Sequence, residues 1–281
     1  MKNKKPLKSS PVSSPSPFLS SFPQKRESRA KKSLGQHFLH NVSILQKITD
    51  AVNISDADTI VEVGGGHGEL TELLKSRNPT KLIVIEKDEE LALFLQKNFC
   101  DVQIISGDAL RVLSSLELPT NWKLVGNIPY YITGQLLRII SELLAPPDRT
   151  VLLLQKEVAK RASAIPPDAN LLSSMIRGWA TPEYLFTVPR LNFHPAPKVD
   201  SATLLLLKSS SSAPKSYFSV VRMLFKQPRK KAINNLIDTL GITRLQAENI
   251  FSACSLSPLL RPQNLSPENI LSITNYLDNL N

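Results

Sequence analysis

The sequence predicts an α/β fold: a doubly wound parallel sheet with helices on both faces, followed by a small all-α domain at the C-terminal end. Three observations carry this reading. Short apolar runs alternate with segments of helical period from Asn41 onward, which is the pattern of βαβ units. A glycine cluster, Gly64-Gly65-Gly66-His67-Gly68, follows the first of those runs directly. Beyond the Ser-rich stretch 208–214 only helical periodicity remains. With 281 residues, 42% of them hydrophobic, the chain can fill one large core and one small one. No apolar run approaches the ~18 residues of a membrane-spanning helix.

Taken in order, residues 1–28 are rich in Ser, Pro and Lys, and Glu27 is their only acid. That composition predicts a disordered basic tail that helps hold a nucleic acid. It lacks the apolar core of a signal peptide, while its Ser-rich, acid-poor character leaves an organellar transit peptide open. The α/β domain is expected over 29–208. Ile44, Leu45, Ile48 and Val52 recur at helical spacing. Strands are expected over 59–63, 81–86, 102–106, 123–126 and 150–155, with helices over 69–76, 89–98 and 135–144. Leu204–Leu207 is a further strand-like run. Residues 209–215 read as a linker, and 216–281 as a helical domain. In that domain Phe218, Val221, Leu224 and Phe225 form a stripe. Ser266-Pro267-Glu268 supplies an N-cap, a first-turn proline and an early acid for the last helix.

The net charge is +10, which points to a polyanionic partner, because Lys and Arg neutralise phosphates and release counterions. The two cysteines, Cys100 and Cys254, are far apart and form no CxxC pair. This argues against a disulfide framework or a thiolate zinc site and fits a reducing, cytoplasmic setting. The four histidines, at 37, 40, 67 and 194, lack metal-ligand spacing, so no metal is expected. No heptad or other dimer signature is present, and the expected state is a monomer.

The residues that suggest chemistry fall where strands end, which is where ligands bind in open α/β sheets. Gly64, Gly66 and Gly68 allow a tight turn and close approach of a ligand. Their spacing is neither the GxGxxG of dinucleotide binders nor a P-loop. Glu86 closes the second strand, where a carboxylate can accept both ribose hydroxyls. Asp108 follows the third, where a carboxylate can accept an adenine amine. Together these suggest a pocket for S-adenosylmethionine, with a nicotinamide dinucleotide as the alternative. The fourth strand runs into Asn127-Ile128-Pro129-Tyr130. An exocyclic aromatic amine is a poor nucleophile because its lone pair is delocalised into the ring. Acceptors for both of its N–H bonds, the Asn127 side chain and the carbonyl of Ile128 or Pro129, favour a nitrogen that is becoming tetrahedral. Tyr130 offers a face on which a base can stack.

The segments "KKSLGQHFLHN", "VEVGGGHGELT", "VIEKD", "SGDAL", "LVGNIPYYIT", "LLQKEVAKR" and "NFHPAPKVDSA" occur in that order. Over residues 30 to 281 the chain closely resembles the ribosomal RNA adenine N6,N6-dimethyltransferases, most of all the small-subunit (16S) type. The resemblance implies a Rossmann-like class I S-adenosylmethionine-dependent methyltransferase that dimethylates two adjacent adenines in a 3′-terminal hairpin loop of the assembling 30S subunit. It further implies that His37, Leu39, Gly64, Gly66, Glu86, Asp108 and Asn127 bind the cofactor. Phe193 would stack on the target base opposite Tyr130, and a loop adenine leaves its stack more cheaply than a paired one. Lys156, Lys160 and Arg161, with Lys226, Arg229, Lys230 and Lys231, would meet RNA. Pro228 interrupts that last basic element, which is more continuous in the family. The alternatives are a large-subunit (23S) adenine methyltransferase, a DNA adenine methyltransferase, and an assembly or transcription factor that keeps the fold without the chemistry.

Overall fold

The β-branched run Thr59–Val63 forms β2, and every one of its residues is buried, as a strand covered by helices on both faces requires. The structure, a computed structural model, describes residues 34–280; the expected basic tail lies outside the described residues. In chain order the elements begin with β1 (Phe38–Leu39), α1 (Val42–Val52), β2 and α2 (Glu69–Lys75). They are followed by β3 (Lys81–Glu86), α3 (Glu89–Asn98), β4 (Gln103–Ser106), α4 (Ala109–Ser115) and β5 (Trp122–Asn127). A 3₁₀ turn (Tyr130–Ile132) leads into α5 (Thr133–Glu142), β6 (Arg149–Gln155), α6 (Lys156–Ser163) and α7 (Leu171–Arg177). Then come β7 (Ala180–Val188), β8 (Phe193–His194), β9 (Ser201–Lys208) and four helices: α8 (Lys215–Leu224), α9 (Ala232–Leu240), α10 (Arg244–Ala253) and α11 (Pro267–Asp278).

The main sheet has strand order β4-β3-β2-β5-β6-β9-β7. Its first five strands are parallel, as expected. The sheet as a whole is mixed, because β9 and β7 add on antiparallel. β7 was not legible as a strand because Thr181-Pro182-Glu183 reads as a turn. At the sheet edge, where β7 lies, a proline's missing N–H removes no ladder bond. Helix α4 was also unforeseen; Asp108 caps it by accepting from Leu110 N at 3.0 Å. Pro214 is the N-cap of α8, which begins at Lys215.

Helices on the two faces of the sheet bury separate apolar clusters, one around Trp122, Leu124 and Leu136, the other around Ile48, Val84 and Phe99. The four C-terminal helices share a third, around Tyr217, Ile233 and Phe251. Ser266 caps α11 as anticipated, in a reciprocal box with Asn269. The helical part is seated on α7: the Tyr217 hydroxyl donates to the Ser174 carbonyl at 3.1 Å. No helix among the described residues is long and apolar enough to cross a membrane.

Candidate functional site

Parallel pairing brings four strand ends level. Val63 is opposite both Ile85 and Gly126, and Glu86 is opposite Ser106. The residues that follow therefore emerge at one edge, where Gly64, Gly66, Glu86, Asp108, Asn127 and Tyr130 line one cleft with His37. Its empty volume, open mouth included, is about 770 Å³.

The glycines are there for conformation and space. Gly64 and Gly66 have φ of 80° and 56°, values that side chains rarely adopt. A Cβ on Gly66 would stand 3.2 Å from the Phe38 ring, which would have to give way. Glu86 is buried, and both of its oxygens accept backbone N–H groups: Oε2 from Gly66 at 3.0 Å and Oε1 from Asp88 at 2.9 Å. Burial raises its pKa, and those backbone bonds oppose the rise. Asp108 Oδ2 pairs with Lys87 Nζ at 2.8 Å, and that bond holds its pKa below the usual range.

Asn127 is the best-oriented group in the cleft. Its Nδ2 donates to the His37 carbonyl at 2.7 Å. A carbonyl only accepts, so the amide orientation is fixed and Oδ1 is left as an acceptor. The His37 Nδ1 lies 2.7 Å from the Pro195 carbonyl. By the same reasoning Nδ1 carries a proton. The Tyr130 ring stacks loosely on His37, with centroids 5.9 Å apart, and its hydroxyl is 2.8 Å from Ser201 Oγ. Burial raises the Tyr130 pKa, keeping the phenol neutral. The two possible backbone acceptors are distinguished: Pro129 O takes the Ile132 N–H at 3.1 Å, while among the described residues no backbone N–H bonds the Ile128 carbonyl outside regular elements.

Two expected residues are buried. Leu39 and Phe193 are 4% and 3% exposed and join the apolar cluster on one face of the sheet, where Leu39 also lines a smaller cavity with Gly64, Gly66 and Asn127. The reason is register. Leu39 pairs directly with Phe193 in the short β1–β8 ladder, and Phe38 pairs with His194. Directly opposed residues share a face, so Leu39 and Phe193 point together into the core. Phe38, one residue away, lines the cleft instead. Phe193 is not among the residues that line the cleft. Of the residues expected to meet RNA, Lys156 is half-buried at the start of α6, and Arg161, Arg229, Lys230 and Lys231 are exposed. Arg229 and Lys230 sit on the α8–α9 loop, and Lys231 is the N-cap of α9.

Sequence reasoning missed Phe38, Lys87, Ser201 and the buried Glu62. Adjacency to Glu86 marks Lys87, whereas the two residues of β1 are too few to mark Phe38. Ser201 is 71 residues from Tyr130, and no local signal links them. Glu62 is fully buried; Thr71 Oγ1 donates to its Oε2 at 2.7 Å, and burial pushes its pKa up to about 8.

A model of the family described as "Ribosomal RNA adenine dimethylase" matches residues 27–279. The chain belongs to the ribosomal RNA adenine dimethylase family. It is 35% identical over 252 residues to the "Ribosomal RNA small subunit methyltransferase A" of Dehalococcoides mccartyi, covering 85% of this chain and 86% of that one. It is also 35% identical over 269 residues to the protein of that name from a Geobacillus species, covering 89% and 92%. Among solved structures, a dimethyladenosine transferase from Plasmodium falciparum superposes with a TM-score of 0.75 at 22% identity, covering 86% of this chain and 98% of that one. The 23S rRNA methyltransferase ErmE superposes with a TM-score of 0.69 at 23% identity, covering 86% and 99%. These two likenesses show the class I methyltransferase fold. Membership of this family makes the chain an S-adenosylmethionine-dependent rRNA adenine dimethyltransferase.

Proposed function

We propose that this enzyme dimethylates N6 of two adjacent adenines in the 3′-terminal hairpin loop of small-subunit (16S) rRNA during assembly of the 30S subunit. The observation that carries the reading is the fixed Asn127 amide. Its Oδ1 faces the strand end as a preorganised acceptor, beside an aromatic ring. The relatives named for the small subunit support this substrate over the large-subunit one.

The cleft fits S-adenosylmethionine: it pairs a glycine turn that tolerates no side chain with a buried ribose-competent carboxylate, and it has no phosphate-binding spacing. Gly64 and Gly66 would pass beneath the cofactor, Glu86 would accept from its ribose, Asp108 from its adenine amine, and His37 and Phe38 would form a wall. When bound, the cofactor supplies an electrophilic methyl group. The protein's own residues then do the rest. Tyr130 stacks the flipped adenine, worth roughly 1–3 kcal/mol by analogy with single-strand binders. Asn127 Oδ1 and the Ile128 carbonyl each accept one N–H of the amine, which turns its lone pair outward. No strong base is required, because the nitrogen's proton becomes acidic once the nitrogen is methylated and cationic. Phe193 supports the site from below by holding the β1–β8 pair, and thus His37 and Phe38, in register. Lys156 and Arg161 meet phosphates from one side, and Arg229, Lys230 and Lys231 from the helical domain. The enzyme acts as a monomer in the cytoplasm, without a metal.

The test is incubation with labelled S-adenosylmethionine and under-methylated small subunits, followed by mapping of the modified nucleotides. N6,N6-dimethyladenosine at two adjacent positions is expected. Label confined to large-subunit rRNA would overturn the substrate.

A further inference from the structure

Two consecutive tyrosines leave the end of β5, and only Tyr130 has a role in the reading above. The turn Tyr130–Ile132 is a 3₁₀ helix, with three residues per turn, so its side chains diverge by about 120°. Tyr130 turns inward to Ser201 and His37. Ile132 goes into the core. Tyr131 is sent outward and is 58% exposed, yet it still lines the lip of the cleft.

An exposed aromatic of this size is not held there by burial. Its neighbours fix it instead. Its ring lies 3.5 Å from where a Cβ would stand on Gly35, a residue with φ of 60°. The Lys87 ammonium, paired with Asp108, is in electrostatic reach of the Tyr131 hydroxyl, and Arg111 acts on the same Asp108. The lip thus combines an open aromatic face with cations, the two parts of a single-strand platform. It lies next to the ring that takes the target base, and in sequence it is one residue away.

From this placement we infer that Tyr131 is a second base platform: it stacks the nucleotide adjoining the one held on Tyr130, with the phosphate between them facing Lys87. Because the two target adenines are neighbours, the occupant is the other adenine of the pair. One adenine waits on the lip while its neighbour is in the cleft. This rests on the small-subunit reading above. It makes Tyr131 a positioning residue for the RNA and assigns it no part in holding the cofactor.

The test compares the full-length protein with Tyr131→Ala and Tyr131→Phe. Steady-state kinetics are measured on under-methylated small subunits, products are mapped at both adenines, and calorimetry with S-adenosylhomocysteine reports the cofactor site. Tyr131→Ala should lower kcat/KM about five- to tenfold, mainly through KM, the lower part of the range for loss of one stacked base. It should also enrich subunits modified at one adenine only. Tyr131→Phe keeps the face and should stay within about twofold of wild type, and S-adenosylhomocysteine affinity should hold in both variants. If Tyr131→Ala matched an active wild type in kinetics and products, the platform would be overturned while the function stood. A loss of S-adenosylhomocysteine affinity in Tyr131→Ala would make the ring a cofactor wall and would also overturn it. An inactive wild type would sink the function and the platform together.

Discussion

At the scale of single residues, Asn127 and Glu62 make opposite demands on an acid–amide pocket. Asn127 works because its nitrogen is already committed to the His37 carbonyl. Asn127→Ala should therefore reduce methyl transfer about a hundredfold or more, as loss of one preorganised polar group does. Calorimetry with S-adenosylhomocysteine should show affinity changed only severalfold; a variant methylating at the wild-type rate would refute the acceptor role. Glu62 is buried with Oε1 unpartnered, and its pKa is raised from 4.5 to about 8. The folded protein thus holds this proton in a range where the unfolded chain has lost it. Stability from this group is fully present below about 4.5 and declines by about 1.4 kcal/mol per pH unit as pH rises toward 8. Glu62→Gln keeps an acceptor for Thr71 and cannot ionise. Its melting temperature should fall less than wild type's between pH 5 and 8; parallel curves would mean the carboxyl finds a solvated state.

At the scale of elements, the parallel part of the sheet was legible, and of the antiparallel part only the Leu204–Leu207 run of β9 was. β2, β3 and β5 are apolar runs that end in polar or glycine residues, so periodicity and punctuation agree. Glu86, Asp108 and Asn127 could be placed from that alone, because parallel register aligns strand ends. β7 carries Pro182 and a bulge at Tyr184 to Phe186, and its partner β9 is not adjacent in sequence. β1 and β8 have two residues each, too few to show a period. That is why Phe38 was overlooked. The contact between α7 and α8 was equally invisible. A Cβ on Gly178 would stand 2.7 Å from the Tyr217 ring and 3.0 Å from Phe218. Both rings are wedged between helices, so Gly178→Ala should cost about 1–3 kcal/mol as overpacking. Urea unfolding followed by tryptophan fluorescence would read this, with Trp179 next to the substitution.

At the scale of the whole molecule, the charge of +10 is useful only where it is free to meet phosphate. Lys230 Nζ already pairs with Asp238 at 3.1 Å, whereas Lys231 has no acidic partner among the ion pairs of the described residues. Lys231→Ala should therefore reduce the slope of log affinity against log salt by about 1, near the value for one phosphate contact. Lys230→Ala should reduce it by less. Filter binding of small-subunit RNA across a salt series would compare them, and an unchanged slope in both variants would turn this loop away from RNA.

The stretch 34–38 has a practical consequence for anyone who cuts or tags this chain. Gln36 is tied to Asp88, the His37 carbonyl to Asn127 and the His37 ring to Pro195, so two adjacent residues in this stretch lace three distant parts of the chain together. A protease nick or deletion that removes them would take away the anchor that holds the Asn127 amide, even though every strand of the main sheet remained.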